Sequence, residues 1–81
     1  IKIRFLYTGP SVQAVLDRFP TAKILRRDEK EVELSAIVEY GKGTLMKLME
    51  QGNWVKVLAP EKVVEDMREE MEAMRGMYGM G

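Results

Sequence analysis

The stretch Gly52-Asn53-Trp54-Val55-Lys56-Val57-Leu58-Ala59-Pro60-Glu61 ends one helix, lays down a strand and starts another helix. Gly52 follows an apolar helical run and suits the left-handed conformation that closes a helix, while Pro60 has the fixed φ of a first helical turn. Between them the strand has two possible phases. Facing Val55 and Val57 inward leaves Lys56 in water; the opposite phase would bury the lysine at a large desolvation cost. The first phase is therefore expected, and it turns Trp54 and Leu58 away from the core. That outward face and the helix after Pro60 are where function is expected.

Earlier elements follow from the same patterning. Ile1, Ile3, Phe5 and Tyr7 alternate with Lys2, Arg4 and Leu6, as in a half-buried strand. Thr8-Gly9-Pro10-Ser11 is a helix-entry turn, and Val12, Val15, Leu16 and Phe19 then recur at helical spacing up to Pro20. Ala22 to Arg27, with adjacent Ile24 and Leu25 among basic residues, reads as a charged edge strand. Beyond the polar turn Asp28-Glu29-Lys30, Val32, Leu34, Ala36, Val38 and Tyr40 alternate with Glu33, Ser35, Ile37 and Glu39, the clearest strand pattern in the chain. Thr44 is the expected N-cap of a short helix ending at Gly52. From Glu61 to Met77 strong helix formers carry Val63, Val64, Met67, Met71, Met74 and Tyr78 on one side, with acidic residues near the N-terminus favouring the helix dipole. Gly76, Gly79 and Gly81 suggest a loose end.

The order strand, helix, strand, strand, helix, strand, helix predicts an α+β, ferredoxin-like βαββαβ sandwich with a four-stranded antiparallel sheet and an additional C-terminal helix. Right-handed crossovers put the first and third strands at the centre. One sheet face then lacks helices and presents Lys2, Arg4, Leu6, Glu33, Ser35, Ile37, Glu39, Trp54, Lys56 and Leu58. Lys2 and Arg4 can pair with Glu33 or Glu39. Leu6, Ile37, Trp54 and Leu58 call for a cover, which either the last helix or a second subunit can supply. Met71, Met74 and Tyr78 continue the apolar stripe beyond the reach of a short strand and are expected to meet a partner. Arg4 and Lys56 are candidate charged contacts for a ligand.

The bulk numbers exclude several classes of function. The chain holds no cysteine and no histidine among its 81 residues, so thiolate nucleophiles, imidazole bases, disulfides and the commonest metal ligands are missing. Its carboxylates lie on helix faces and hairpin edges where solvation explains them, so no catalytic residue, metal site or cofactor is expected. Thirteen basic and thirteen acidic residues cancel, leaving no overall field to draw in nucleic acid or an anionic membrane. The apolar runs are too short to cross a bilayer. A single domain over residues 1–78 is expected, with a flexible tail at 79–81; the opening on Ile1, already in strand pattern, suggests a piece of a longer protein.

Several stretches together resemble the WCX domain, the C-terminal extension of WYL-domain transcriptional regulators of bacteria and archaea. They are Ile1-Lys2-Ile3-Arg4-Phe5, Ala14-Val15-Leu16-Asp17-Arg18-Phe19, Val32-Glu33-Leu34, Leu48 to Glu61 with its G-x-x-V-x-V-x-x-P-E pattern, and Ala73-Met74-Arg75-Gly76-Met77-Tyr78. The resemblance implies a cytoplasmic regulator with an N-terminal helix-turn-helix domain and a central WYL sensor, in which this module dimerises the protein and couples sensing to DNA binding. DNA would be met only through the N-terminal domain. The turn at Gly41-Lys42-Gly43 departs from the family pattern.

Two further readings share the same order of elements. An ACT-like amino-acid sensor would use the backbone at Gly9-Pro10 as its binding loop, a position that a helix-entry turn explains better. An RNA-binding sheet would need stacking aromatics on its central strands. Those strands offer Arg4, Leu6, Ser35 and Ile37 instead.

Overall fold

The computed structural model describes residues 1–79; of the expected tail at 79–81, only Gly79 lies within the described residues. Strand β1 (Lys2–Tyr7) buries Ile3, Phe5 and Tyr7 and leaves Lys2 and Arg4 in solvent. Helix α1 (Val12–Arg18) starts at Ser11, whose hydroxyl accepts the Ala14 N–H at 3.3 Å, and it buries Val15 while Phe19 tilts against Phe5 with ring centroids 5.6 Å apart. Strands β2 (Lys23–Arg27) and β3 (Val32–Ile37) form a hairpin. Its turn is folded around Asp28, which accepts the N–H groups of Lys30 and Glu31 at 2.8 and 2.9 Å. Helix α2 (Lys42–Met49), a single 3-10 turn (Gly52–Trp54), strand β4 (Val55–Ala59) and helix α3 (Glu61–Tyr78) complete the chain.

All neighbouring strands are antiparallel in the order β2-β3-β1-β4. With β1 and β3 central and an extra helix after β4, this is the ferredoxin-like α+β sandwich that the order of elements predicts. The core is one cluster. Ile3, Phe5, Leu34 and Ala36 of the central strands meet Val15, Phe19, Leu45, Leu48, Val57 and Val63.

Several boundaries differ from expectation for identifiable reasons. Strand β3 ends at Ile37 instead of Tyr40: Val38 still exchanges backbone hydrogen bonds with Ile1, after which the chain turns to bring Tyr40 onto α3. Thr44 is not the cap of α2. It lies inside the first turn, where its hydroxyl donates to the Glu39 carbonyl at 2.7 Å, so it fastens the helix to the exit of β3. Trp54 belongs to the 3-10 turn that Gly52 opens at φ 61°, and the strand proper begins at Val55. Pro60 is the residue before α3, not its first helical residue, and α3, expected to reach Met77, runs through Gly76 to Tyr78. A glycine inside a helix costs about 1 kcal/mol relative to alanine, too little to end one that good formers sustain on both sides.

Two bulges reset the faces of the sheet. In β2, Ile24 opposes Leu34 while Arg26 opposes Glu33, so Leu25 has no cross-strand partner. In β4, Val57 opposes Phe5 while Ala59 opposes Arg4, so Leu58 is the unpaired residue. Residues directly opposed across a ladder share a face. Lys23 and Arg26 therefore join the helix-free face, and Ala59 takes the place there that strict alternation assigns to Leu58.

Helix α3 packs along β4 and beside α2. It does not cross the helix-free face. Its first half is anchored: Val63 is fully buried, Val64 and Met67 pack on the core, the Tyr40 hydroxyl donates to Asp66, and Lys42 lies 3.4 Å from Glu70. Eighteen residues at 1.5 Å each reach about 27 Å, whereas the five-residue β4 spans about 17 Å. The helix overhangs accordingly, and every residue from Met71 to Gly79 is exposed.

Candidate functional site

The overhang makes a site. Between α3 and β4 runs a groove of about 550 Å³, with Met67, Met71, Met74 and Tyr78 on the helical wall. Val55, Lys56 and Val57 form the opposite wall. Side chains of consecutive strand residues alternate between sheet faces, so three in a row can line one groove only if it follows the strand's free edge. Strand β4 is an edge of the sheet, and its outer side presents backbone groups that no neighbouring strand pairs. The groove thus joins an apolar helical stripe to an unpaired strand edge.

Its charge is one-sided. Lys56, Arg68 and Arg75 line it, and no acidic residue does. Arg75 reaches Glu72 of its own helix at 3.0 Å, whereas Lys56 and Arg68 form no ion pair among the described residues. The thioethers supply adaptable apolar surface, since an unbranched side chain with several rotatable bonds can fit irregular shapes. Met71 and Met74 are about half exposed, at 52% and 45%, and Tyr78 is 77% exposed, more than an isolated core-facing stripe would leave in water.

The expected surface residues divide into two groups. Met71, Met74, Tyr78 and Lys56 come together in the groove. Leu6, Ile37, Trp54 and Leu58 do not form one patch. On the helix-free face Leu6 stands opposite Glu33 while Ile37 stands opposite Lys2, so about 13 Å of strand separates the two rows. Ile37 is 65% exposed, Leu6 is half-buried, Leu58 is half-buried in its bulge, and Trp54 sits exposed in the 3-10 turn. The Trp54 backbone carbonyl accepts the Thr8 N–H at 2.8 Å, which prolongs the pairing of the two segments beyond β4.

Charges on the helix-free face are largely answered within it. Glu33 lies 3.3 Å from Arg4 and 3.6 Å from Arg26, and Arg26 also meets Asp28 and Glu31 at 2.8 and 3.1 Å. These two carboxylates hold the Arg26 guanidinium above its ordinary pKa, while the Glu31 and Lys30 N–H groups, with Arg26, hold Asp28 below its own. The expected pairs of Lys2 and of Glu39 do not occur among the described residues; Glu39 lies past the end of β3, beyond the ladder. No aromatic side chain lies on this face of β1 or β3.

At the loop after β1, a Cβ on Gly9 would collide with the ring and hydroxyl of Tyr7, and the Tyr7 hydroxyl accepts the Ser11 N–H at 3.3 Å. Close packing over Tyr7 therefore accounts for this glycine. Among the described residues no three acidic side chains gather in the arrangement of a metal site, and no helix is long and apolar enough to cross a membrane.

Sequence reasoning missed Arg68, Arg75 and Val55 as groove residues, and Lys23 and Arg26 as residues of the open face. A signal for the last two was present in the adjacent apolar pair Ile24-Leu25, which strict alternation cannot accommodate without a bulge. No protein-family model, curated protein or solved structure matches this chain.

Proposed function

We propose that this domain is a non-catalytic dimerisation and regulatory module, the C-terminal part of a bacterial or archaeal WYL-type transcriptional regulator in the cytoplasm, coupling effector sensing to DNA binding. The observation that carries the interaction role is the overhang of α3, which holds Met71, Met74 and Tyr78 over an unpaired strand edge with nothing among the described residues to cover them. Burying each such side chain against a partner gains roughly 1.5–3 kcal/mol, comparable with the ~3–5 kcal/mol that a core of this size supplies by itself. The assignment to a regulator rests on the WCX resemblance. DNA contact then falls to the helix-turn-helix domain of the longer protein, and the WYL domain is the other intramolecular partner.

The alternative, an ACT-like amino-acid sensor, draws less support. Its loop glycine has a packing explanation in Tyr7, and the hollow beside that loop is only about 190 Å³. Sedimentation of the chain at micromolar concentrations, with Met74→Asp and Trp54→Ala as separate variants, tests the proposal. Concentration-dependent dimerisation abolished by Met74→Asp supports the groove; a strict monomer, or a thermal shift with free amino acids alone, argues for the alternative.

A further inference from the structure

Building on that dimerisation reading, we infer that the groove is filled by helix α3 of a second copy, lying antiparallel about a two-fold axis near residues 70 and 71. The argument is the order of charges beside the apolar stripe. At about 100° per residue, Glu61, Glu65, Arg68, Glu72 and Arg75 fall in a strip roughly 80° wide that borders Val64, Met71 and Tyr78. From Glu65 onward the signs run minus, plus, minus, plus, and Glu61 meets the uncharged Gly79 about the same centre. Reversing the helix reverses the order, so an antiparallel copy sets each charge from Glu65 onward opposite its complement.

The register is also specified. Glu65 and Arg75 lie equally far to either side of residue 70, and so do Arg68 and Glu72. One axis at residue 70 therefore creates Glu65 with the second copy's Arg75 and Arg68 with its Glu72, each pair occurring twice. The apolar residues share that centre within a position: Val64 and Tyr78 are symmetric about Met71, and Met67 and Met74 about the point between 70 and 71. A two-fold interface requires a surface that complements itself, and here polar and apolar features do so about the same point. Arg68, which forms no ion pair among the described residues, gains one in the second copy's Glu72.

The test uses charge reversal in the whole chain. Glu65→Arg alone sets Arg against Arg75, and Arg75→Glu alone sets Glu against Glu65, at both symmetric positions. Each homodimer should weaken by about tenfold or more. An equimolar mixture restores opposite charges at both positions, so native mass spectrometry with one isotope-labelled partner should show the heterodimer well above the roughly twofold excess over either homodimer that random pairing gives. Both side chains stand in solvent, and unchanged circular dichroism verifies folding. If both variants self-associate as the parent does, or if mixing restores nothing, this helix pairing is overturned while dimerisation stands. If the parent chain remains a monomer at the highest concentration, the dimerisation reading fails and this inference with it.

Discussion

The Tyr40 hydroxyl donates to the Asp66 carboxylate, joining the segment that leaves β3 to the second turn of α3. Partial burial, the Asp66 bond and the nearby Glu69 charge push the tyrosine pKa from 10.0 up to about 12. The folded state holds this proton more tightly than the unfolded chain. Its contribution is therefore complete below pH 10 and disappears as pH rises from 10 to about 12. Urea unfolding midpoints across that window should fall more steeply for the parent than for Tyr40→Phe. Near neutrality Tyr40→Phe should cost about 1 kcal/mol, the usual net worth of a hydrogen bond.

Two glycines should respond oppositely to the same substitution. Gly9→Ala forces a methyl into Tyr7 and should destabilise by about 1–3 kcal/mol, the cost of overpacking. Gly76→Ala meets nothing within 4 Å on an exposed turn and should gain up to about 1 kcal/mol of helix propensity. Thermal unfolding followed at the α-helical band measures both.

The core has little to spare. Phe19 is buried against Phe5, and Phe19→Ala should remove about 3–5 kcal/mol, enough to unfold a domain of this size. Phe19→Leu, which keeps most of the volume, should stay folded and lower the denaturant midpoint measurably.

Much of this architecture was legible because hydrophobic period and burial agree. Ile3, Phe5 and Tyr7 alternate in the sequence and are buried in the structure, and the desolvation cost of Lys56 correctly put Val57 inside. Alternation failed at Leu25 and Leu58, where a bulge inserts one residue and turns its successors over, a choice made by cross-strand pairing and not by local propensity. The candidate site was half legible. The apolar stripe of α3 announces itself by spacing, but the groove also needs Val55 and Lys56, and only the tertiary path of α3 along the β4 edge brings them together.

At Asp28 the carboxylate is held by two backbone N–H groups before Arg26 contributes. A carbon-detected titration should find it protonating below its ordinary 3.8, and Arg26→Ala should recover only the smaller part of that displacement. Because the folded value is the lower one, the associated stability is present above 3.8 and is lost as pH falls through the folded value. Full recovery in Arg26→Ala would mean that the turn is not organised by its backbone.

Amide hydrogen exchange in the second half of α3, followed against protein concentration, tests self-association most directly. Residues 71–78 are all exposed and nothing among the described residues covers them, so their amides should exchange quickly in dilute solution and slow in step with dimer formation, while β1 and β3 stay protected throughout. Fast exchange in that segment at every concentration, or new protection confined to the helix-free face, would contradict the account.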